Sequence, residues 1–250
     1  MSCKMIPCVL GFVLLFVAGC ASKPEADPGL AGELEIARQY NESGQYRRAV
    51  AALHELRRKQ PQNATVEAYL GFAYMGLNNF KAASNSYERA LQLEPKNDDV
   101  RMNFAYALIV QKRFMDARVQ LKKIEEGGIY PYMEKVYVND GLSYMEEKRC
   151  DLAHPRFDAA IKRDPVMTSA HFNKGRCYMT QQNYPKAVQS FLLAVDACQG
   201  CIDPYLELTK AYFKNGQPKI AREKLQAILM KGPDAATEAR VKQILQEHSK

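Results

Sequence analysis

The sequence predicts an all-α chain: a right-handed α-solenoid of six two-helix units closed by a C-terminal capping helix. Three observations carry that expectation. Six alanines, Ala49, Ala83, Ala117, Ala153, Ala187 and Ala221, recur at separations of 34, 34, 36, 34 and 34 residues. Large side chains keep fixed offsets from them, with Tyr40, Tyr74, Leu108, Tyr144, Tyr178 and Tyr212 nine residues before and Leu53, Tyr87, Leu121, Phe157, Phe191 and Leu225 four after. Twelve residues before each alanine stands a small residue, Ala37, Gly71, Ala105, Gly141, Gly175 or Thr209, which lets two helices approach closely. A unit of this size cannot bury its apolar positions by itself, so neighbours stack into one continuous core.

The chain begins with a segment of a different kind. Residues 1–19 carry one charge, Lys4, and then an uncharged apolar stretch from Met5 to Ala18, the pattern of a secretory signal. That stretch is too short to cross a hydrocarbon core, which needs roughly 20 apolar residues as helix. Val17-Ala18-Gly19-Cys20 resembles the lipobox of bacterial lipoproteins, which implies lipidation at Cys20 and a chain anchored to a membrane rather than spanning it. The residues after Cys20 are Ala21-Ser22, which by the same resemblance implies outer-membrane sorting, with the chain facing the periplasm. Residues 20–29 hold two prolines and no periodicity, and read as a tether.

The six units then occupy 30–63, 64–97, 98–133, 134–167, 168–201 and 202–235. Four of them end on a proline twelve residues after the marker alanine, Pro61, Pro95, Pro165 and Pro233, which cannot continue a helix. Small residue, tyrosine, alanine, aromatic and proline at these offsets resemble the tetratricopeptide repeat, which implies antiparallel helix pairs. Residues 236–250 supply the cap: Ala239, Val241, Ile244 and Leu245 make an apolar face opposite Glu238, Arg240, Lys242, Gln246 and Glu247.

The third unit breaks register at Glu125-Glu126-Gly127-Gly128-Ile129-Tyr130-Pro131, with two surplus residues. Asn103-Phe104-Ala105, Gln111-Lys112-Arg113-Phe114, Ile129-Tyr130-Pro131 and Asn139-Asp140-Gly141-Leu142, in a six-repeat lipoprotein of this length, resemble the type IV pilus biogenesis lipoproteins, the pilotins. The resemblance implies a scaffold that binds the type IV pilus secretin and promotes its outer-membrane localisation and multimerisation. Other helical-repeat envelope lipoproteins, such as an outer-membrane protein assembly subunit or a protease adaptor, share the fold and are the rival reading.

Four cysteines lie in the repeats, Cys150, Cys177, Cys198 and Cys201, and an exported chain invites disulfides between them. Cys150 takes the slot before the second helix that is Tyr46, Phe80, Phe114 or Tyr184 elsewhere, and so lies at the same end of the stack as Cys177. Cys198 and Cys201 lie at the opposite end, more than about 10 Å away at a rise of about 1.5 Å per residue. The expected pairs are therefore 150 with 177 and 198 with 201. A thiol-redox role for Cys198-Gln199-Gly200-Cys201 is weaker, since the pair follows a helix in an all-helical array, and Ile202 stands where haem attachment needs a histidine.

In a tetratricopeptide array the first helices line a concave face, and the residues fifteen, eleven and eight before each marker point inward. In units two to four these are Ala68, Phe72 and Met75; Met102, Tyr106 and Ile109; Val138, Leu142 and Met145, apolar throughout. Phe172, Arg176 and Met179, then Leu206, Lys210 and Phe213, continue the stripe, which begins at Leu34, Arg38 and Asn41. Exposed together they form a greasy trough for a protein partner, with Phe72 and Tyr106 as anchors and Arg38, Arg176 and Lys210 setting orientation. The opposing expectation is that curvature buries the stripe.

Other classes are disfavoured. A formal charge of +7 spread over interspersed Lys/Arg and Asp/Glu leaves no basic run for nucleic acid. His54, His154, His171 and His248 stand apart from any nucleophile, and no phosphate-binding glycine loop appears, so the expectation is no enzyme, no cofactor, no metal and no small-molecule substrate. Asn63-Ala64-Thr65 matches a glycosylation sequon, irrelevant in a bacterial host.

Overall fold

The computed structural model describes residues 28–248. The expected signal at 1–19, Cys20 and the tether up to residue 27 lie outside the described residues. Thirteen α-helices and no strand occur among the described residues. They are α1 (Pro28–Glu42), α2 (Tyr46–Lys59), α3 (Ala64–Gly76), α4 (Phe80–Leu93), α5 (Asp98–Val110), α6 (Phe114–Gly127) and α7 (Met133–Glu146), followed by α8 (Cys150–Arg163), α9 (Thr168–Thr180), α10 (Tyr184–Ala197), α11 (Ile202–Lys214), α12 (Pro218–Met230) and α13 (Ala235–Glu247). Helix α1 takes in the last two residues assigned to the tether, since proline is tolerated in a first helical turn where its missing N–H is not needed.

All six marker alanines are fully buried, each on the second helix of a pair. Opposite them, the small position on the first helix is matched to the size of the residue four after the marker. Gly71, Gly141 and Gly175 lie under Tyr87, Phe157 and Phe191, where an added Cβ would stand 2.5 to 2.6 Å from a ring carbon. Where the small residue is Ala37, Ala105 or Thr209, the partner position is Leu53, Leu121 or Leu225. The aromatic therefore fills the volume that glycine leaves.

Five helices begin under a side-chain cap, with Asn63, Asn79, Asn97, Asn183 and Asp234 accepting from backbone N–H groups of the first turn. Asn63, notable in the sequence as a sequon, is thus the cap of α3. Within every pair the turn is made by a left-handed residue, Gly44, Asn78, Lys112, Lys148, Gln182 or Gly216. Left-handed backbone costs an ordinary side chain about 1–2 kcal/mol and glycine little. Replacing Lys112 or Lys148 by Gly should therefore raise the unfolding free energy by about 0.5–1 kcal/mol in urea titration, the gain being reduced by the larger entropy of glycine in the unfolded chain.

The connectors between pairs are held by a device the periodicity did not reveal. Sixteen residues before the marker, Arg101 and His171 reach back to the carbonyls of Pro95 and Pro165, His171 Nε2 at 2.9 Å. In the second unit that position is Glu67, and Arg89 spans the gap, donating to Pro61 O at 3.0 Å and pairing with Glu67 at 2.9 Å. Burial pushes the Glu67 carboxyl up, and Arg57 and Arg89 pull it back. The third connector has Ile129 in place of the closing proline and carries Pro131 two residues later; α6 ends at Gly127 and Gly128 turns left-handed.

Candidate functional site

The structure divides the expected trough into exposed and buried parts. Phe72 on α3 and Tyr106 on α5 are 45% and 44% exposed. Ala68, Met75 and Leu142 are half-buried. Met102, Ile109, Val138 and Met145 are buried and leave the candidate surface. The reason is that part of a stripe at spacings of four and three turns into the seam between its own second helix and the next first helix rather than into the channel. Met102 packs with Leu121, Ile124 and Val136, Ile109 with Phe104 and Leu108, Met145 with Phe157 and the 150–177 cysteines, and Val138 with Ala160 and Ala170.

Further along, the apolar side chains of the stripe pack in part against the array itself. Phe172 leans on Phe191 at 5.8 Å between ring centroids, and Met179 packs in the same cluster. Leu206 is buried, and Phe213 stacks on His248 at 4.1 Å. The three cations expected to orient a partner are each engaged by a carboxylate. Arg38 is held by Glu35 and Glu42, and its hydrogen bond holds the Glu35 carboxyl down to about 2. Arg176 stands 3.6 Å from Glu146, and Lys210 is 2.7 Å from Glu207.

A groove of about 350 Å³ lies open over the first three units, walled by Arg38, Asn41, Ala68, Phe72, Asp99 and Asn103 among others. Phe72 is braced edge-on by Tyr46 at 6.3 Å, which makes it a rigid wall. Asn41 is 5% exposed; its Nδ2 donates to Tyr69 O at 3.1 Å, while its Oδ1 accepts nothing from the described residues. Because Nδ2 is committed to a carbonyl, the amide cannot be turned over. Asp99 on the rim accepts from Tyr130 Oη at 2.7 Å, so the two-residue surplus of the third unit is tied to the groove. Burial first, and then this bond, push the Tyr130 hydroxyl up. Beside it Ile129 is 95% exposed. Asp99 and Asn103 fall at offsets from the marker that the trough reading did not include, so only coordinates place them in the wall.

On the convex side, α6, α7 and α8 border a cleft of about 450 Å³. Arg118 reaches Glu147 at 2.8 Å and lies 4.5 Å over the Tyr144 ring, and Arg156 reaches Glu125 at 2.8 Å and also binds Asp140. Burial pushes the Asp140 carboxyl up against the pull of Arg156. These charges satisfy one another across the junction of the third and fourth units.

The cysteines lie in two bridges. Cys150, at the start of α8, is joined to Cys177 on α9, and Cys198 to Cys201 around Gln199-Gly200, both with Cα atoms 5.4 Å apart. The histidines are dispersed and each has a partner: His54 with Tyr74 Oη at 2.7 Å, His154 with Gln181 at 3.0 Å, His171 with Pro165 O, and His248 with Ile244 O at 2.9 Å.

Comparison with known proteins agrees with this architecture. Three models of the tetratricopeptide repeat match residues 33–63, 80–126 and 139–200, together more than half of the chain. The chain is 22% identical over 158 residues to the type IV pilus assembly protein PilF of Pseudomonas aeruginosa, a match covering 63% of each protein and so just under two thirds of that relative's length. Its fold resembles the crystal structure of PilW, described as a widely conserved type IV pilus biogenesis factor, with a TM-score of 0.77 at 18% identity over 88% of this chain and 100% of that one. It also resembles the structure of P. aeruginosa PilF, with a TM-score of 0.68 at 18% identity over 87% and 97%. With thirteen helices in the 34-residue register and repeat models along its length, the chain belongs to the tetratricopeptide repeat proteins.

Proposed function

We propose that this protein is a type IV pilus biogenesis scaffold, a pilotin, that binds the secretin pore in the concave groove of its first three units and promotes its outer-membrane localisation and multimerisation. The observation that carries the reading is the conjunction of an array similar to two pilus biogenesis proteins over 88% and 87% of its length with an open groove that presents Phe72 in a largely polar wall. Lipidation at Cys20 and the following segment would anchor the array at the periplasmic face of the outer membrane, leaving the groove free to meet its partner. Phe72 and Tyr106 would supply the buried anchors, which are worth most at the centre of an interface.

Deleting the protein should reduce heat-resistant secretin multimers at least tenfold on a blot and abolish pilus-dependent motility; unaltered multimers would refute the assignment. On the concave face, Phe72→Ser in the groove wall and Tyr106→Ser beside it should each weaken capture of the secretin at least tenfold. Phe72 is braced by Tyr46 and its loss also costs some stability. Tyr106 is the cleaner test, because a half-exposed residue of this kind should lower the melting temperature by less than about 4 °C. If folded Phe72→Ser and Tyr106→Ser both capture secretin as well as the parent does, the groove is not the binding face.

A further inference from the structure

The two disulfides are placed in opposite environments. Cys150 and Cys177 are 4% and 0% exposed, packed under Phe157 and Ala153. Cys198 and Cys201 are both half-buried, at the bend where α10 gives way to α11. A pocket of about 290 Å³ opens directly on this bend, walled by Gln199, Gly200, Cys201, Tyr205, Ile228 and Lys231. An incoming thiol therefore has a path to one bridge and none to the other.

The ends of the exposed bridge are also chemically unlike. Cys201 is the N-cap residue of α11, where first-turn N–H groups lack intrahelical acceptors, and its side chain makes no capping hydrogen bond. A thiolate there gains from the helix N-terminus and from the Lys231 ammonium on the same pocket, against which Asp203 in the first turn acts. Cys198 ends α10, the negative end of a helix dipole, and has no such support. In thiol–disulfide exchange the better-stabilised thiolate leaves, so attack is directed to Cys198.

We infer that Cys198–Cys201 is a thiol–disulfide exchange site for a protein dithiol, one that approaches the bridge over the exposed Gln199-Gly200 bend while the adjoining pocket receives the departing Cys201 thiolate. A thiolate of the reductant attacks Cys198 Sγ, the Cys198–Cys201 bond breaks, and Cys201 departs as the thiolate at the cap of α11. The second thiol of the reductant then attacks the mixed disulfide, leaves with its partner as a disulfide, and releases Cys198, which takes up a proton. Two electrons pass to this protein and the dithiol is oxidised. The structural result is local. The fifth unit has Gln199 where four others have a closing proline, so this bridge takes over the role of fixing the connector, and its reduction releases the Gln199-Gly200 bend while Phe191, Leu208 and Tyr212 keep α10 and α11 packed and the 150–177 bridge is untouched.

The full-length chain in detergent is exposed without denaturant to dithiothreitol, quenched with an alkylating reagent at intervals and mapped by peptide mass. Cys198 and Cys201 should be alkylated at least tenfold faster than Cys150 and Cys177; equal rates, or the reverse order, would overturn the site. The direction of attack is read separately with a thioredoxin-type dithiol protein whose resolving cysteine is replaced by serine, which stops at the mixed disulfide. Linkage to Cys198 is the expected product. Linkage to Cys201, or no trapped species, would overturn the proposal that a protein dithiol is received here.

Discussion

Replacing Cys150 and Cys177 together by alanine is expected to lower the unfolding free energy by about 3–4 kcal/mol, the loop-closure value for a bridge spanning 27 residues. The size of the loss follows from where the bridge sits. In four other units the slot of Cys150 holds an aromatic, Tyr46, Phe80, Phe114 or Tyr184. In the first unit that aromatic reaches forward onto the next pair, Tyr46 meeting Phe72 edge-on. At the fourth unit the ring is absent, and a covalent bond from α8 to α9 replaces the contact between neighbouring pairs. Unfolding in urea, followed by helical circular dichroism, measures the loss. Breaking the short 198–201 bridge in the same way should cost roughly half as much by the same relation. Because each pair in a repeat array contacts its neighbours rather than the whole molecule, faster hydrogen exchange should concentrate in α8 and α9 and leave α1 to α3 unchanged. A loss below about 1 kcal/mol, or one spread evenly along the chain, would mean that packing alone holds this junction.

The periodicity of the marker alanines made the architecture legible because each unit repeats one packing problem and solves it with the same residue types at the same offsets. The groove was legible in part. Phe72 and Tyr106, each eleven residues before its marker, stand out in the channel as their spacing implied, but Met102, fifteen before, and Met145, eight before, are buried. The offsets specify a direction from the helix axis, and whether that direction ends in solvent or in the seam with the next pair depends on how closely two pairs stack. That distance is a property of the assembled array and is not written at any single position. The same limit applies to Arg38 and Lys210, whose apparent freedom in the sequence ends in ion pairs one turn away, three or four residues along the same helix. Tyr130 shows the reverse case: a residue of an irregular insertion acquires a place through a hydrogen bond to Asp99, 31 residues earlier, that no local pattern foretells.

A single glycine-to-alanine change should have opposite signs at two places in this chain. Gly32 lies in α1 with nothing near its Cβ direction, so Gly32→Ala should gain about 0.5–1 kcal/mol from helix propensity and reduced unfolded-state entropy. Gly141 lies in α7 under Phe157, where a new Cβ would stand 2.6 Å from a ring carbon. Phe157 is wholly buried and packed against Ala153 and the 150–177 bridge, so its ring cannot swing away. Gly141→Ala should therefore destabilise by about 1–3 kcal/mol despite the same propensity gain. The units themselves indicate the remedy, because alanine at this position in the first and third units is accompanied by leucine, not an aromatic. Adding Phe157→Leu to Gly141→Ala should recover most of the loss, whereas Phe157→Leu by itself leaves a cavity and costs about 1–2 kcal/mol. The double-mutant cycle should then show a favourable coupling of at least about 1 kcal/mol, which additive effects cannot produce. Additivity within about 0.3 kcal/mol, measured by urea unfolding of all four proteins, would show that the glycine and the aromatic are chosen independently and that size matching across the pair does not set the approach of the two helices.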